Sequence, residues 1–409
     1  MDRAIRMDLL RTHLKSIVRT AAILAVCAAL PACLNAQPTK PCDVQGTLAR
    51  VEGLLKLQHY ADARIVLKRL QTCHGLSQAA VFKIGLLYEE GQDPSAAFAV
   101  FQSLPIDVPD RATHQYAIAV AEFDLGAYAK TVETLKSFQS DRPLDSKSAN
   151  LLGVAYSKLG AYEAAFTALS DNLEQNPADL TSYLNLITVL SDAGRFGQAA
   201  EVATQAVAAF PGNADVLVAR GSVYTQLGQL ETAKRDFAAA IELAPHQVRP
   251  HLLLALSEFK LADFQGASAS LRVAIQSGAV DSDIHYLLAE CLLKIDPANA
   301  GAAISELNRA IALNGNSVQA RTLRGKLQLE SGQVKEAFAD LSLAHQLAPA
   351  SRSAAYNLAR AETKLGMTEQ AKALFKKFHT PNGDSPDDLD DPNLQKAPQT
   401  GGAGSQEPR

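Results

Sequence analysis

The side chains that could carry chemistry in this chain are few, and their spacing does not suit catalysis or metal binding. Cys73 and His74 are adjacent in the sequence, but a thiolate nucleophile needs a histidine beside it in space, which adjacency does not provide. His246 and His251 flank a predicted helix junction with no carboxylate or cysteine at ligand spacing, so we interpret them as surface histidines. Five aspartates between 384 and 391 lack the glycine and closing glutamate of a calcium loop and are typical of a solvated acidic tail.

The short motifs of common catalytic and cofactor-binding sites are also missing from the sequence. It contains no H-E-x-x-H, C-x-x-C, G-x-S-x-G, G-x-G-x-x-G or G-x-x-x-x-G-K-[ST]. We therefore predict a protein that is not an enzyme, with no catalytic residue, no metal site and no cofactor. The net charge of −4 and the absence of a basic block make nucleic acid an unsuitable partner.

The elements that would position a binding surface recur every 34 residues. In the clearest repeat, two predicted helices are joined by a glycine that can adopt positive φ, and a proline stops the second helix. Antiparallel helices cross closely only where both carry small side chains, so we expect Gly221 to lie against Ala233. Counting from Ala214, the pattern is Gly221 at position 8, Tyr224 at 11, Gly228 at 15, Ala233 at 20, Phe237 at 24 and Pro245 at 32.

The same pattern continues in one phase along most of the chain. Position 20 is alanine in nine of ten repeats, with Thr131 as the exception, and a two-residue insertion near Pro297 shifts the last repeats. An alanine-rich chain would match by chance at some places, but it would not keep its phase through consecutive repeats. The predicted repeats start at Val44, Gln78, Ala112, Ser146, Leu180, Ala214, Val248, Ser282, Val318 and Arg352.

These positions resemble the tetratricopeptide repeat, which has small residues at 8 and 20, tyrosine at 11, an aromatic residue at 24 and proline at 32. The resemblance covers about residues 44–379. It implies an all-α fold, a right-handed α-solenoid of about ten helix-turn-helix repeats, in which each repeat packs on its neighbours. The chain departs from the family in having no tryptophan, so position 4 is filled by residues such as Leu217.

The resemblance also implies a binding surface, because the first helix of each repeat lines a concave groove through positions 2, 5, 9 and 12. We therefore expect the groove to bind a protein or an extended peptide, through hydrophobic anchors with hydrogen-bonding groups between them. The alternative for each of these side chains is that it packs on the next repeat. The candidate groove residues are Phe82, Tyr116, Phe123, Asn150, Asn185, Phe259, Tyr286 and Tyr356.

The family's carboxylate clamp, which binds peptides that end in Glu-Glu-Val-Asp, is not expected here. The clamp needs lysine, asparagine and arginine at set positions of three successive repeats. Around Asn185, the preceding repeat offers Asn150 and Val154, and the following one offers Asp215 and Ala219. The groove must therefore recognise a partner in another way.

The N-terminal residues 1–36 resemble an export signal, with five basic residues before an apolar run from Ala21 to Leu30. Cleavage after Ala36 would give a periplasmic or secreted protein, and lipidation of Cys33 would instead anchor it to a membrane. A buried first helix is the third interpretation. In an oxidising compartment, Cys42 and Cys73 could form a disulfide across the first hairpin or stay unpaired, whereas Cys291 is interpreted as a small buried apolar residue.

The predicted organisation is a signal peptide (1–36), an N-terminal linker (37–43), the repeat solenoid (44–379) and a disordered acidic tail (380–409). The tail is rich in Pro, Gly and Asp and has too few apolar residues to offset the entropy of ordering. The predicted function is a non-catalytic interaction scaffold, with cell-envelope assembly or secretion as the suggested setting. The alternative is a structural protein that self-associates through the edges of its first or last repeat, and the oligomeric state stays open.

Overall fold

The computed structural model describes residues 43–139 and 144–378, and within these ranges it contains twenty α-helices, one 3₁₀ helix and no strand. The predicted all-α fold class is confirmed. The chain divides after Pro211 into two compact units, which we call unit 1 and unit 2 and describe one at a time. The predicted signal peptide, Cys33, Cys42 and the predicted tail lie outside the described residues.

Unit 1 consists of five helical hairpins in its described part. In each hairpin an odd-numbered first helix is followed by an even-numbered second helix. The helices are α1 (Val44–Lys56), α2 (Tyr60–Gln71), α3 (Gln78–Glu90), α4 (Pro94–Gln102), α5 (Arg111–Asp124), α6 (Tyr128–Gln139), α7 (Ser146–Lys158), α8 (Tyr162–Gln175), α9 (Leu180–Asp192) and α10 (Phe196–Ala209).

Unit 2 repeats the arrangement with five further hairpins. The insertion in its third hairpin forms the 3₁₀ helix Pro297–Asn299, and the Asp296 carboxylate accepts a hydrogen bond from the Ala298 amide at 2.8 Å. The helices are α11 (Ala214–Gln226), α12 (Leu230–Leu243), α13 (Val248–Lys260), α14 (Phe264–Gln276), α15 (Ser282–Ile295), α16 (Ala300–Leu313), α17 (Val318–Glu330), α18 (Val334–Leu347), α19 (Arg352–Lys364) and α20 (Thr368–Phe378).

The first helices begin where they do because a capping residue precedes nearly all of them. Nine of the ten follow an Asp, Ser or Asn whose side chain accepts a hydrogen bond from an amide of the first turn, which satisfies a donor that has no partner inside the helix. Asp110 is one such cap, and it starts α5 at Arg111, one residue before the predicted Ala112. Among the ten first helices, only α13 begins without a side-chain cap, after Gln247.

The core of each unit is a column of small residues on the second helices. Every residue at position 20 is buried, so each hairpin closes over a small side chain that lets the two backbones approach. Thr131 follows the rule because its hydroxyl donates to the Ala127 carbonyl oxygen and leaves no polar group unpaired. The column comprises Ala63, Ala97, Thr131, Ala165 and Ala199 in unit 1, and Ala233, Ala267, Ala303, Ala337 and Ala371 in unit 2.

A side chain at position 8 would meet the side chain at position 24 of the same hairpin. A Cβ atom added to Gly221 would lie 2.7 Å from the ring of Phe237, and one added to Gly325 would lie 2.6 Å from Leu341. The glycine at position 8 therefore makes room for the large side chain at position 24 of its own hairpin. In the fifth hairpin the large and small side chains are exchanged: position 8 is the large Ile187 and position 24 is the small Ala203.

The last helix, α20, presents a polar surface over its described side chains. Its exposed residues include Glu369, Lys372 and Lys376, and the large apolar side chains that the structure describes on it, Leu374 and Phe375, are half-buried. A terminal repeat with a polar outer face needs no further element to cover it.

Candidate functional site

In unit 1 the aromatic candidates divide into core residues and surface residues. Phe82 is buried, with its ring centroid 5.3 Å from that of Phe101, and Phe123 is buried against Tyr128 at 4.9 Å in an edge-to-face contact. Both rings are therefore packed inside the unit, as the packing alternative states, and neither offers a free face. Tyr116 is half-buried and stays at the surface of α5.

Two candidate asparagines come together in a buried polar cluster between the fourth and fifth hairpins. The Asn185 Nδ2 donates to Asn150 Oδ1 at 2.8 Å, across 35 residues of sequence. The Ser182 hydroxyl oxygen lies 3.1 Å from the same oxygen and 2.9 Å from Asp179 Oδ2, and its single hydrogen is donated to one of them at a time. Asn185 is 2% exposed and Asn150 is 5% exposed, so these hydrogen bonds operate away from water.

The carboxylate of Asp179 organises the rest of this cluster. Its Oδ2 accepts hydrogen bonds from Asn150 Nδ2 at 2.8 Å and from Asn172 Nδ2 at 2.9 Å. Its Oδ1 caps α9 through the Thr181 amide at 3.1 Å. A buried polar cluster needs its members satisfied, because unpaired polar groups are costly in a low-dielectric interior.

The sequence analysis missed Asp179, Asn172 and Ser182 as members of this cluster. Asn172 stands at position 27 of its repeat, where Ala206, Ala240 and other repeats have alanine. A polar residue at a position that the repeat keeps small was the available signal. Asp179 was hidden because an aspartate before a first helix is also the ordinary cap.

In unit 2 the aromatic candidates lie at the surface. Phe259 and Tyr286 are half-buried and pack against the same core cluster, and Tyr356 is 37% exposed. Leu256, one turn before Phe259 on α13, is 44% exposed. The Tyr286 hydroxyl donates to Glu290 Oε1 at 2.8 Å.

Three buried glutamates occupy position 11, where the repeat pattern has tyrosine. Burial raises the pKa of Glu122, Glu258 and Glu362 above the ordinary value of a carboxyl group. Hydrogen bonds oppose the shift in two of them, from the Thr134 hydroxyl to Glu122 Oε2 at 2.8 Å and from the Ser270 hydroxyl to Glu258 Oε2 at 2.8 Å. These groups lie inside the hairpins, and Lys234 Nζ is 3.6 Å from Glu258 Oε1.

No group of three or more His, Cys, Asp or Glu side chains in the described ranges could hold a metal ion. His251 is not the surface histidine that the sequence analysis expected, because it is buried and its Nε2 lies 3.0 Å from the Pro245 carbonyl oxygen. His246 is exposed. Among 43–139 and 144–378 no helix is long and apolar enough to span a bilayer.

The cysteines of the described chain differ in state. Cys73 is disulfide-bonded, and its predicted partner Cys42 lies outside the described residues, so the Cys42–Cys73 pairing stays a prediction. Cys291 is a buried free cysteine, and burial raises the pKa of its thiol to about 12. Such a thiol stays protonated and unreactive at neutral pH, and Cys291 therefore acts as a small packing residue.

Comparison with known families and proteins identifies the class of the chain. Family models of the tetratricopeptide repeat match residues 184–248 and 252–317, and others match 79–110 and 353–380. The chain is 25% identical over 322 residues to the BBSome complex member BBS4 of Bos taurus, covering 79% of this chain and 62% of that protein. It is 32% identical over 96 residues to a protein SGT1 homolog of Oryza sativa, covering 24% of this chain and 26% of that protein.

A solved structure also shares the fold. The C-terminal part of a TPR repeat-containing protein from Cytophaga hutchinsonii aligns with a TM-score of 0.50 and 16% identity, over 59% of this chain and 99% of that chain. The chain spans less than two thirds of the length of the curated relatives described above.

The chain is a tetratricopeptide repeat protein. Proteins of this family generally mediate protein–protein interactions and bind protein or peptide partners, which points to an interaction protein and not to an enzyme.

Proposed function

We propose that this protein is a non-catalytic scaffold that binds an extended peptide or protein segment on the surface of its first helices. The observation that carries the proposal is Leu256, a large apolar side chain that is 44% exposed on α13. Half-buried Phe259 is its neighbour on the same helix face, since residues three apart lie side by side. Apolar side chains that reach the surface side by side can anchor a bound segment.

Polar groups on α11 suit the hydrogen bonding of such a segment. The Ser222 hydroxyl donates to the Val218 carbonyl oxygen at 2.7 Å, and the Thr225 hydroxyl donates to the Gly221 carbonyl oxygen at 3.0 Å. Because each hydroxyl hydrogen is used within the helix, each oxygen is left as an acceptor for a partner. Both residues are half-buried, as expected of groups at the edge of a binding surface.

The test is a selection of peptides from a phage-displayed random library against the full chain. We expect selected peptides to lose most of their binding to Leu256→Asp, because a charge in the apolar surface must be desolvated. Leu243→Asp is the matched control, since Leu243 is 48% exposed on a second helix, and it should bind as the wild type does. Equal binding of every selected peptide to wild type and Leu256→Asp would contradict this assignment of the surface.

We further propose that the mature chain is exported and serves in cell-envelope assembly or secretion. The basic and apolar pattern of residues 1–36 supports export, and a bonded Cys73 fits an oxidising compartment. Mass spectrometry of the protein from native cells tests this proposal. A mass that begins at Gln37 indicates a soluble exported protein, a lipidated Cys33 indicates a membrane-anchored one, and a mass that retains residues 1–36 contradicts export.

A further inference from the structure

The last hairpin of unit 2, residues 352–378, is positively charged in a chain whose net charge is −4. It contains six basic residues and two acidic ones. On α20, Lys372, Lys376 and Lys377 are exposed, and Glu369 is the acidic residue of this helix. Lys372 Nζ lies 3.1 Å from Glu369 Oε1, but an ion pair as exposed as this one contributes little. The last helix therefore presents an excess of positive charge to solvent.

An earlier hairpin of unit 2 shows what a lysine at position 21 contacts. Lys234 stands at position 21 of its repeat, as Lys372 does. Its Nζ donates to Asp263 Oδ2 of the following hairpin at 2.9 Å and lies 3.6 Å from Glu258 Oε1 of that hairpin. The contact covers Lys234, whose side chain is 31% exposed, whereas the side chain of Lys372 is 68% exposed. Position 21 thus points towards the next part of the chain and meets carboxylates there.

Position 25, which Lys376 occupies in the last repeat, points the same way. Asn308 stands at position 25 of the third hairpin of unit 2 when the two-residue insertion is allowed for. Its Oδ1 accepts a hydrogen bond from Arg324 of the following hairpin at 2.7 Å. Positions 21 and 25 of a second helix therefore form a face towards the following hairpin. We call the side of α20 that carries Lys372 and Lys376 the basic face.

The sequence after α20 has the charge that this face attracts. Residues 380–395 include five aspartates and no basic residue. Opposite charges at this density attract one another across several ångströms at low ionic strength. The aspartates are Asp384, Asp387, Asp388, Asp390 and Asp391, and we call residues 384–391 the acidic segment.

We propose that the acidic segment binds to the basic face of α20, in the place that a further hairpin would take. Its carboxylates have the role towards Lys372 and Lys376 that Asp263 has towards Lys234. The contact is electrostatic, because the outer surface of α20 is polar and needs no apolar cover. This inference goes beyond the proposed function and does not depend on it.

The acidic segment is close enough in sequence to reach both lysines. Five residues, 379–383, separate Phe378 from the first aspartate, and an extended chain covers about 3.3–3.6 Å per residue. At a helical rise of about 1.5 Å per residue, Lys376 lies about 3 Å and Lys372 about 9 Å back along α20. A segment on so short a tether has an effective concentration on the order of millimolar, so several weak ion pairs are sufficient.

The experiment reverses the charge on each side of the contact in the full chain. The face variant carries Lys372→Glu and Lys376→Glu, and the swap variant combines these changes with those of the tail variant. Arg272→Glu is the matched control, because Arg272 is exposed and also stands at position 25, on α14. The tail variant carries Asp387→Lys, Asp388→Lys, Asp390→Lys and Asp391→Lys.

Hydrogen exchange of the α20 amides, followed by mass spectrometry at low ionic strength, measures the contact. We expect exchange to be roughly fivefold faster in the face variant and in the tail variant, and to return towards the wild-type rate in the swap variant. Arg272→Glu should leave α20 unchanged and should not restore slow exchange to the tail variant. In about 1 M salt, where the Debye length is about 3 Å, wild type and tail variant should exchange alike.

The tail variant keeps the proposal testable, because it changes none of the residues that the structure describes. Equal exchange of α20 in wild type and tail variant at low salt would overturn the inference. A swap variant that exchanges as fast as the single variants would also overturn it, since the lysines and aspartates then do not meet. Protection that increases with protein concentration would place the segment on a second copy of the chain and contradict the assignment to its own α20.

Discussion

Position 15 of the repeat requires a left-handed backbone, and the chain does not always place glycine there. Gly228 has φ of 74° at this position, and five further repeats also use glycine. Gln58, Gln92 and Ala262 adopt φ of 61°, 60° and 59° without being glycine. A side chain in this region costs about 1–2 kcal/mol relative to glycine.

We expect Ala262→Gly to stabilise unit 2 by about 0.5–1 kcal/mol, the relief of the left-handed strain less the greater chain entropy of glycine. Chemical denaturation measures the change. Gly228→Ala is the matched opposite substitution and should destabilise by about 1 kcal/mol. A loss of stability in Ala262→Gly would show that the backbone at this turn carries no strain.

The close approach of positions 8 and 24 leads to a second prediction for single residues. Gly221→Ala should destabilise by about 1–3 kcal/mol, because the added methyl group overlaps the Phe237 ring. The double variant Gly221→Ala/Phe237→Leu should recover part of the loss, since Ala255 and Leu271 form this pair elsewhere in unit 2. Equal stability of single and double variants would contradict the assigned contact.

At the scale of the hairpin, two ion pairs, each between a half-buried arginine and a buried aspartate, join first and second helices. Arg220 donates to both carboxylate oxygens of Asp236, at 2.8 and 2.6 Å. Arg324 does the same to Asp340, at 2.6 and 2.7 Å. The two ion pairs stand at the same repeat positions of their hairpins. Their bidentate geometry fixes how the first helix lies against the second.

Arg220→Ala should cost about 3–5 kcal/mol of unfolding free energy, because Asp236 is then a buried and uncompensated carboxylate. The double variant Arg220→Ala/Asp236→Ala should lose less than the single one. Thermal and urea denaturation measure both, with Arg235→Ala on the exposed face of α12 as a control within about 0.5 kcal/mol of wild type. A double variant that is less stable than the single one would contradict the argument.

Glu122 links the stability of its hairpin to pH. Burial raises its pKa in the folded chain, so its contribution to stability is full at acid pH and is lost as pH rises through that pKa. We expect Glu122→Gln to raise Tm at pH 7 and to change it little at pH 4, because Thr134 can still donate to the amide oxygen. Exposed Glu201→Gln is the control, and a lowered Tm of Glu122→Gln at pH 7 would contradict the prediction.

At the scale of the whole molecule, the polar surface of α20 bears on self-association. A solenoid that joins end to end needs an apolar face at its terminus, and the described part of α20 exposes Glu369, Lys372 and Lys376 instead. We therefore expect light scattering of the mature chain at tens of micromolar to report the mass of one chain. A dimer that dissociates in Lys372→Glu would support the alternative of self-association through the last repeat.

The amino-acid sequence by itself determined the fold class and the phase of the helices. Small residues such as Ala233 and turn residues such as Gly228 act within one hairpin, and a local requirement that recurs every 34 residues can be read without knowledge of distant contacts. The helix starts follow for the same reason, since the cap and the helix are adjacent in sequence. The Asp110 cap places the start of α5 one residue before the predicted start.

Only the tertiary structure decided which candidate groove residues lie at the surface. Phe82 and Tyr116 share a repeat position, yet one ring is buried and the other is not, because the neighbouring hairpins differ. The orientation of the Asn185 amide depends on Asn150, which is 35 residues away. Such a property belongs to contacts between repeats, and sequence spacing within a repeat does not encode it.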